Sequence, residues 1–465
     1  MNIKLYNTLT RDNEAFIPRE EGKVAIYSCG PTVYHYQHLG NMRGYVVTDT
    51  VRRLFLSAGY AVTSVINITD VGHLVGDGDI GEDKLEKGAR REGKSVWDIA
   101  KYYTEDYFKC LEILNIPLSA YHFPKATDTI AEQIALIKIL EEKGYTYTTS
   151  DGIYFDTSKF PSYKDLAKLS IEGLKSGARV EENIEKKNIT DFALWKFSPK
   201  NEKRQMEWES PWGIGFPGWH IECSAMSKSL LGSHFDIHMG GIDHIPVHHT
   251  NEIAQSECAN GEKYVNYWLH YNFLNDVSGK MSKSNGEFLR LKTLVDEGIS
   301  PLAYRYYLLL AHYRSEIQFS FESLRAAETA YKKLYALASE WNDLYKSSPE
   351  TPHAVLLKSF YSNLYDDVNT PKAIAVLWRM LGFEDISDEK KYVTLLAMDQ
   401  TLGLNLRQAK KINFTVPEEV QKLLIERAMA REKKNFIKSD ELRKSIEKLG
   451  FKVIDGEGKQ DIELL

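Results

Sequence analysis

The chain has 465 residues, 43% apolar and 27% charged, with a formal net charge of −6. That length exceeds what one hydrophobic core can organise, so two to four domains are expected. No apolar run reaches about 18 residues, which argues against a membrane-spanning helix. The acidic balance argues against a protein that coats nucleic acid non-specifically, but not against a shaped partner docked on local patches.

The opening MNIKLYNTLTRDNEAFIP lacks the charged-then-apolar pattern of a signal peptide, so a cytoplasmic protein is expected. Cys29, Cys110, Cys223 and Cys258 form no CxxC pair, and a reducing compartment disfavours disulfides. VAIYSCG (24–30) reads as a buried strand. NMRGYVVTDTVRRLFLSAGY (41–60) has helical periodicity and stops near Gly59, and AVTSVINITD (61–70) reads as a second strand. This β-loop-α-β unit implies parallel strands and a right-handed crossover. VGHLVGDGDIGED (71–83) reads as a loop, followed by helices over 96–115 and 127–144. Strand-like pieces at 145–157 and a polar stretch to about 190 look like an insertion.

A second set of β/α signals returns at 219–275. GWHIECSAMSKSLLG is a helix ending at Gly232, and HFDIHMGG is a short strand. PVHHTNEIAQSECANG is a helix with Pro246 in its first turn, and YVNYWLHYNFL is a strand. Two βα halves around an insertion describe an interrupted doubly wound sheet. Residues 300–405 are helical throughout, with PETP and NTP as punctuation, and predict a bundle. A small tail follows: a helix from Pro417, a second helix with Ser439 as N-cap and Gly450 past its end, and a closing strand FKVID. Residues 407–465 carry 14 Lys/Arg against 11 Asp/Glu, a local net of +3.

Four clusters could carry chemistry. Six of the 13 histidines (His220, His234, His238, His244, His248 and His249) fall within residues 220–249. On the helix from Pro246, His248 and Glu252 are spaced i, i+4, and His249 and Glu252 i, i+3; spacing does not choose between the histidines. Strand C-termini converge on a crevice in such folds, so Cys29, Cys223, one histidine and Glu252 would make a four-ligand set suited to zinc. In PTVYHYQHLGN (31–41), Gly40 permits close backbone approach and the helix N-terminus offers N–H groups to phosphate. GKMSKSNG (279–286) suits a loop that closes on polyphosphate, and PWGIGFPGWH (211–220) suits a pocket wall. Each also reads as ordinary structure: core histidines and thiols, a plain loop, a solvated basic turn, a core tryptophan.

HLGN after a first strand, KMSKS after a last one, and two Rossmann halves between them resemble the class I aminoacyl-tRNA synthetases. CGPTVY, NITD, DFALWK, PGWHIECSAM, HFDIH and HHTNEIAQSE are similar to motifs of one family within that class, the cysteinyl-tRNA synthetases. The resemblance covers essentially the whole chain. It implies an α/β fold in which a Rossmann-type parallel sheet (1–115 and 215–275) is split by a connective insertion (116–214). A KMSKS and stem-contact region (276–325), an α-helical bundle on the anticodon stem (326–405) and a small α+β anticodon-binding domain (406–465) would follow.

The resemblance further implies one Zn²⁺ on Cys29, Cys223, His248 and Glu252, and Mg²⁺ with ATP. Catalytic roles fall on His38, Asn41, Lys280 and Lys283. ATP would meet Pro31, Thr32, His38, Gly40, Asn41, Lys280, Met281, Ser282, Lys283 and Ser284, and substrate cysteine would meet Gly30, Thr69 and Trp219. ATP, L-cysteine and tRNA(Cys) are the implied partners of a monomer. Arg427, Arg431, Lys433 and Lys434 are candidate anticodon contacts. The chain departs from the family pattern at Thr250, where glutamate is frequent, at Glu287 and in the longer 71–83 loop. A ligase joining cysteine to an amino sugar is the rival enzyme, disfavoured because it needs no counterpart to residues 300–465. A silent binding paralogue is disfavoured by the intact KMSKS and ligand positions, and a metallohydrolase by the missing HExxH.

Overall fold

The computed structural model describes residues 2–72, 83–168, 184–199, 204–276, 289–347, 349–410, 417–455 and 460–464. They form two compact units, Met1–Ala409 and Lys410–Leu465. Among the described residues no helix is long and apolar enough to cross a membrane.

The first unit opens with an antiparallel hairpin, β1 (Lys4–Asn7) and β2 (Asp12–Ala15), which the sequence reading did not anticipate. Next come β3 (Lys23–Ser28), α1 (Leu39–Ser57) and β4 (Ala61–Ile66), with β3 and β4 parallel from Lys23↔Ala61 to Ser28↔Ile66. His38 caps α1: its side chain accepts from the Asn41 amide at 3.2 Å while the Asn41 side chain accepts from the His38 amide at 3.2 Å. That reciprocal cap starts α1 two residues earlier than periodicity alone places it. Gly59, at φ +88°, lies just past its end.

The helices α2 (Lys84–Glu92), α3 (Val96–Ile113) and α4 (Ile130–Glu142) lead into an antiparallel sheet. Its strands β5 (Thr146–Thr149), β6 (Gly152–Phe155), β7 (Phe192–Phe197) and β8 (Gly215–Pro217) pair in that order. The chain then returns to the first sheet through α5 (Trp219–Leu231), β9 (Phe235–Gly241), α6 (Thr250–Asn260) and β10 (Val265–Tyr271). The sheet runs β10-β9-β3-β4 with every pair parallel. Each half winds outward from the β3–β9 junction, so the strand ends open there into the crevice of a doubly wound fold. All seven residues of β9 are buried, as a strand covered on both faces requires.

Between β9 and α6 the helix is not regular. Residues Ile245–His249 form a wide, π-type turn, and the Thr250 hydroxyl donates to the Ile245 carbonyl at 2.8 Å. A parallel pair, β11 (Leu274–Asp276) and β12 (Ile317–Phe319), precedes the bundle. The long bundle helices are α9 (Phe321–Tyr345), α10 (Ala354–Leu364), α11 (Thr370–Leu381) and α12 (Asp388–Leu402), after the shorter α7 (Leu291–Asp296) and α8 (Pro301–Leu309). The NTP punctuation is a helix start: Asn369 caps α11, with Pro371 in its first turn.

In the second unit, α13 (Glu418–Glu432) and α14 (Phe436–Lys448) cover an antiparallel pair, β13 (Phe451–Asp455) and β14 (Gln460–Leu464). Ser439 is not the N-cap of α14. Asn435 is: its side chain accepts from the Lys438 amide at 3.2 Å, while Ser439 is buried inside the helix. Both residue types cap well, and the upstream one takes the role because Phe436–Lys438 extend the helix backwards.

Two buried arginines tie the sheet to the bundle within the first unit. Asp49 on α1 accepts from Arg305 on α8 at 2.7 Å, from Arg53 at 2.6 Å and from the Tyr121 hydroxyl at 3.0 Å. Arg305 also donates to the carbonyls of Leu402 and Leu114. Gly403, at φ +69°, leaves it room: a Cβ there would lie 2.4 Å from the guanidinium. Arg43 on α1 donates to the carbonyls of Asn272, Phe273, His312, Tyr313 and Ser315, clamping the approach to β11 against the loop before β12.

Burial opposes ionisation of Asp49, but Arg305 and Arg53 hold its carboxyl below the ordinary carboxylate range. The folded value lies below the unfolded one, so this stabilisation is complete above the ordinary range and is lost as pH falls through the folded value. Asp49→Asn strands a buried guanidinium and is expected to cost about 3–5 kcal/mol, read as a lowered denaturation midpoint at neutral pH. An unchanged midpoint would show that the ion pair contributes nothing.

Candidate metal centre and active site

The β3–β9 junction assembles the site. Tyr27 pairs with His238 and Ser28 with Met239, and the Cys29 amide donates to the Met239 carbonyl at 3.1 Å. Cys29 therefore leaves the end of β3 directly beside β9. Cys223 comes from the second turn of α5, His248 from the π-type turn and Glu252 from the first turn of α6. One ligand atom from each of Cys29, Cys223, His248 and Glu252 lies within 4.8 Å of the others, and all four residues are buried. A second grouping, Cys29, His238, His249 and Glu252, meets the same criterion and shares two members with the first.

The wide turn explains the double choice. Adjacent residues on a regular helix point about 100° apart, whereas here His248 and His249 are both buried toward the site. His248 Nε2 lies 3.0 Å from Glu252 Oε1, and His249 Nε2 lies 3.3 Å from Cys29 Sγ. Their other ring nitrogens differ in partner. His248 Nδ1 faces His220 Nδ1 at 2.9 Å, while His249 Nδ1 faces His270 Nε2 at 2.8 Å, and His270 Nδ1 reaches the Thr8 hydroxyl at 2.8 Å. Glu252 Oε2 is held by His238 Nε2 at 2.8 Å and accepts from the Tyr264 hydroxyl at 3.3 Å.

The electrostatics are those of opposite charges sharing one dry space. Hydrogen bonding with Cys29, helped by His248, lowers the Cys223 thiol to about 7. Burial raises Cys29. Burial disfavours the charged form of His248, yet Glu252 and Cys223 lift it to about 10. Burial opposes ionisation of Glu252 too, but His238 and His248 hold its carboxyl well below the usual range. Burial, with His238 as neighbour, keeps His249 well below the ordinary imidazole range. The cluster thus combines the Glu252 carboxylate and an acidified Cys223 thiol with a protonated His248 and a neutral His249 in a space shielded from water, and a cation that displaces the His248 proton and the thiol protons would take over the charge balance.

Beside the cluster, the half-buried Trp219 ring packs 4.4 Å from that of His248. Thr32 and Thr69 bridge two backbone segments: the Thr69 amide donates to the Pro31 carbonyl at 3.0 Å and the Val33 amide to the Thr69 carbonyl at 3.2 Å. Asn67 spans the same corner, accepting from the Gly30 amide at 2.8 Å and donating to the Thr69 hydroxyl at 3.0 Å. Gly30 is obligatory there, because a Cβ would fall 1.5 Å from the Asn67 carbonyl oxygen. The structure therefore brings Gly30, Pro31, Thr32 and Thr69 together.

At the start of α1, His38 and Asn41 are engaged in the reciprocal cap, and the Leu39 amide donates to the Leu289 carbonyl at 2.8 Å. The helix N-terminus therefore offers fewer N–H groups than an uncapped end would. Burial lowers His38. A Cβ on Gly40 would lie 3.0 Å from the His38 ring, which a small residue avoids. Lys280, Met281, Ser282, Lys283, Ser284 and Glu287 lie outside the described residues, as does most of the 71–83 loop. Thr250, the departure in HHTNE, spends its hydroxyl on the turn.

Sequence reasoning missed several members of the site. His220 and His238, singled out only as part of a histidine-rich stretch, prove to be partners of His248 and Glu252, and His270, not singled out, is the partner of His249. Density in residues 220–249 was the signal for the first two; His270 lies outside that stretch and carried none. Glu222 is buried beside Cys223, and burial followed by the nearby Asp70 pushes its carboxyl well up. Arg427 is corrected: it is buried and tied to Asp455 and Gln460, with Arg431 and Arg443 on the same carboxylate.

Residues 15–329 match the family model described as the class I (C) tRNA synthetase catalytic domain, and residues 415–462 match that of the cysteinyl-tRNA ligase anticodon binding domain. The cysteine–tRNA ligase 1 of Burkholderia lata is 49% identical over 456 residues, covering 98% of this chain and 95% of that protein. The cysteine–tRNA ligase of Treponema denticola is 45% identical over 487 residues, covering 99% of both. Among solved structures, Mycobacterium tuberculosis methionyl-tRNA synthetase in complex with methionyl-adenylate shares the fold at a TM-score of 0.56 and 15% identity, covering 82% of this chain and 90% of that one. Matched along nearly its whole length, the chain belongs to the cysteine–tRNA ligases, a family of class I aminoacyl-tRNA synthetases.

Proposed function

We propose that the chain activates L-cysteine with ATP and transfers it to tRNA(Cys), using a zinc ion on Cys29, Cys223, His248 and Glu252 to select cysteine over serine. The observation that carries this reading is the buried quartet of two sulfurs, one imidazole nitrogen and one carboxylate oxygen, mutually within 4.8 Å. Two thiols favour zinc over the hard cations, which take oxygen ligands. The alternative grouping offers one thiol, and His238 in it already serves the Glu252 carboxylate as an outer partner. When bound, zinc supplies a soft cation that takes a thiolate as a further ligand, whereas a serine hydroxyl stays protonated and is weakly held. An apolar pocket alone discriminates such a pair poorly.

In the first step the cysteine carboxylate attacks the α-phosphorus of ATP, and pyrophosphate leaves with its Mg²⁺. In the second, the 3′-terminal ribose hydroxyl attacks the carbonyl carbon of cysteinyl-adenylate, and AMP leaves. The protein's part is to position and to neutralise charge. Because His38 Nδ1 accepts the Asn41 amide, the neutral ring carries its proton on Nε2, the atom suited to donate to a phosphate oxygen. Lys280 and Lys283 would neutralise the polyphosphate, with Met281, Ser282 and Ser284 completing that loop. Gly30, Thr69 and Trp219 would hold the amino acid against the metal, and Pro31, Thr32, Gly40 and Asn41 would line the nucleotide. In the tail, the exposed Lys433 and Lys434 beside exposed Phe436 support anticodon binding. Arg427 braces the fold of that unit instead, while Arg431, 44% exposed beside Asp455, remains a candidate contact.

Elemental analysis and cysteine-dependent ATP–pyrophosphate exchange test the metal reading together. Cys223→Ser is expected to lose the bound zinc and at least about 100-fold in exchange, while His249→Asn keeps the zinc stoichiometry with affinity weakened roughly 10- to 100-fold. Full exchange by Cys223→Ser with serine still refused would overturn it. For the tail, Lys433→Ala combined with Lys434→Ala is expected to raise the KM for tRNA(Cys) several-fold at an unchanged exchange rate. Arg427→Ala is expected to lower the thermal stability of the full chain. The reverse pattern would return Arg427 to the RNA surface.

A further inference from the structure

A cluster of rings and cations borders the start of α1 and has no part in the scheme above. Tyr36 lies two residues before His38 in the loop after β3. Its hydroxyl meets the Tyr102 hydroxyl from α3 at 2.8 Å. The Arg290 guanidinium lies over the Tyr36 ring, 4.0 Å from its centroid, and the Lys94 ammonium lies 4.7 Å from the centroid of Tyr102. The Tyr103 ring packs edge-on against both tyrosines, at 5.0 and 5.1 Å. Tyr102 is 41% exposed, and the Arg91 and Lys94 side chains are 46% and 44% exposed.

The charge of this edge runs against that of the chain. Residues 84–94 carry five Lys/Arg against two Asp/Glu, a local net of +3 where the whole protein is −6. The exposed Tyr102 ring beside the half-buried Tyr36, with Lys94 and Arg290 over them and Glu92 offsetting part of the charge, offers what an unpaired nucleic-acid strand needs: a π-surface for a base and positive charge for the phosphates. Duplex recognition would instead call for groove or backbone contacts without open rings. The location is as specific as the chemistry. Arg290 follows Leu289, whose carbonyl holds the Leu39 amide at the head of α1, so the patch adjoins the His38 end of the site.

We infer that the Tyr36–Tyr102–Lys94–Arg290 patch is the docking surface for the single-stranded 3′ end of tRNA, guiding its terminal ribose toward the adenylate. The inference rests on the aminoacylation reading above. A strand that delivers its last nucleotide to the site crosses the adjoining surface, and this one carries the exposed Tyr102 ring with Lys94 over it and Arg290 nearby.

The test compares full-length tRNA(Cys) transcript with one lacking its unpaired 3′ nucleotides, using the full-length protein. Tyr102→Ala and Lys94→Glu are expected to keep cysteine-dependent pyrophosphate exchange and the KM for ATP, and to raise the KM for tRNA(Cys) by about five- to ten-fold. Tyr102→Phe, which keeps the ring and loses only the hydroxyl, is expected to stay near wild type. Both disruptive variants should bind the truncated transcript as tightly as wild type does. Equal losses for both transcripts, an unchanged KM for tRNA, or a raised KM for ATP would each overturn the inference. Absence of exchange in the wild-type protein would overturn the aminoacylation reading instead.

Discussion

The pairing of β3 with β9 is the constraint on which the rest of the molecule turns. These strands lie about two hundred residues apart in the chain, yet Ile26, Tyr27 and Ser28 face Ile237, His238 and Met239 in parallel register. That register delivers Cys29 to β9 and, through the turn after β9, to His248 and Glu252. Side chains alternate faces along a strand, so a slip of one residue would send Tyr27 and His238 to the wrong sides of the sheet. The insertion carries its own sheet, β5–β8, and returns at the junction itself: β8 leads straight into α5, which brings Trp219 and Cys223 to the cluster.

Charge buried without water must be matched locally, and the first unit does so in two ways. At the cluster, carboxylate and thiol are balanced by imidazoles in a space fit for a cation. Behind α1, Asp49 is balanced by Arg305 and Arg53, while Arg43 spends its donors on five carbonyls. Asp49 and Arg43 both lie on α1, the helix whose first turn carries His38 and Asn41. This helix, proposed to face the nucleotide, is therefore held to the bundle by fixed-geometry donors rather than by apolar packing alone, and guanidinium groups suit that role.

Much of this was legible before any coordinates. The βα units read cleanly because alternation and helical period are strong over long segments, and the bundle because its helices carry their own caps. The residue types that meet at the cluster were legible, but spacing stopped at a tie between His248 and His249, and the structure brings both into groupings that could hold a metal. The π-type turn is the reason: it buries both rings toward the site, and nothing in a helical wheel anticipates it. Strand β7 was hidden because FALWKF is buried on both faces and does not alternate. Arg427 looked like a basic surface residue because its partner, Asp455, lies in a strand beyond the next helix. Short-range patterns carried well; the errors came where a distant residue decides the role of a near one.

The separation of the metal-binding candidates along the chain has a consequence for biosynthesis. Cys29 leaves the ribosome long before Cys223, His248 and Glu252 are made, and β9 is the strand that must arrive to receive it. Until then the first half-sheet waits with an open edge and an uncommitted thiol, a stage at which nascent chains are prone to stray association. Capture of a metal by all four candidate residues would therefore be a late event, one that locks a topology already threaded rather than one that nucleates it.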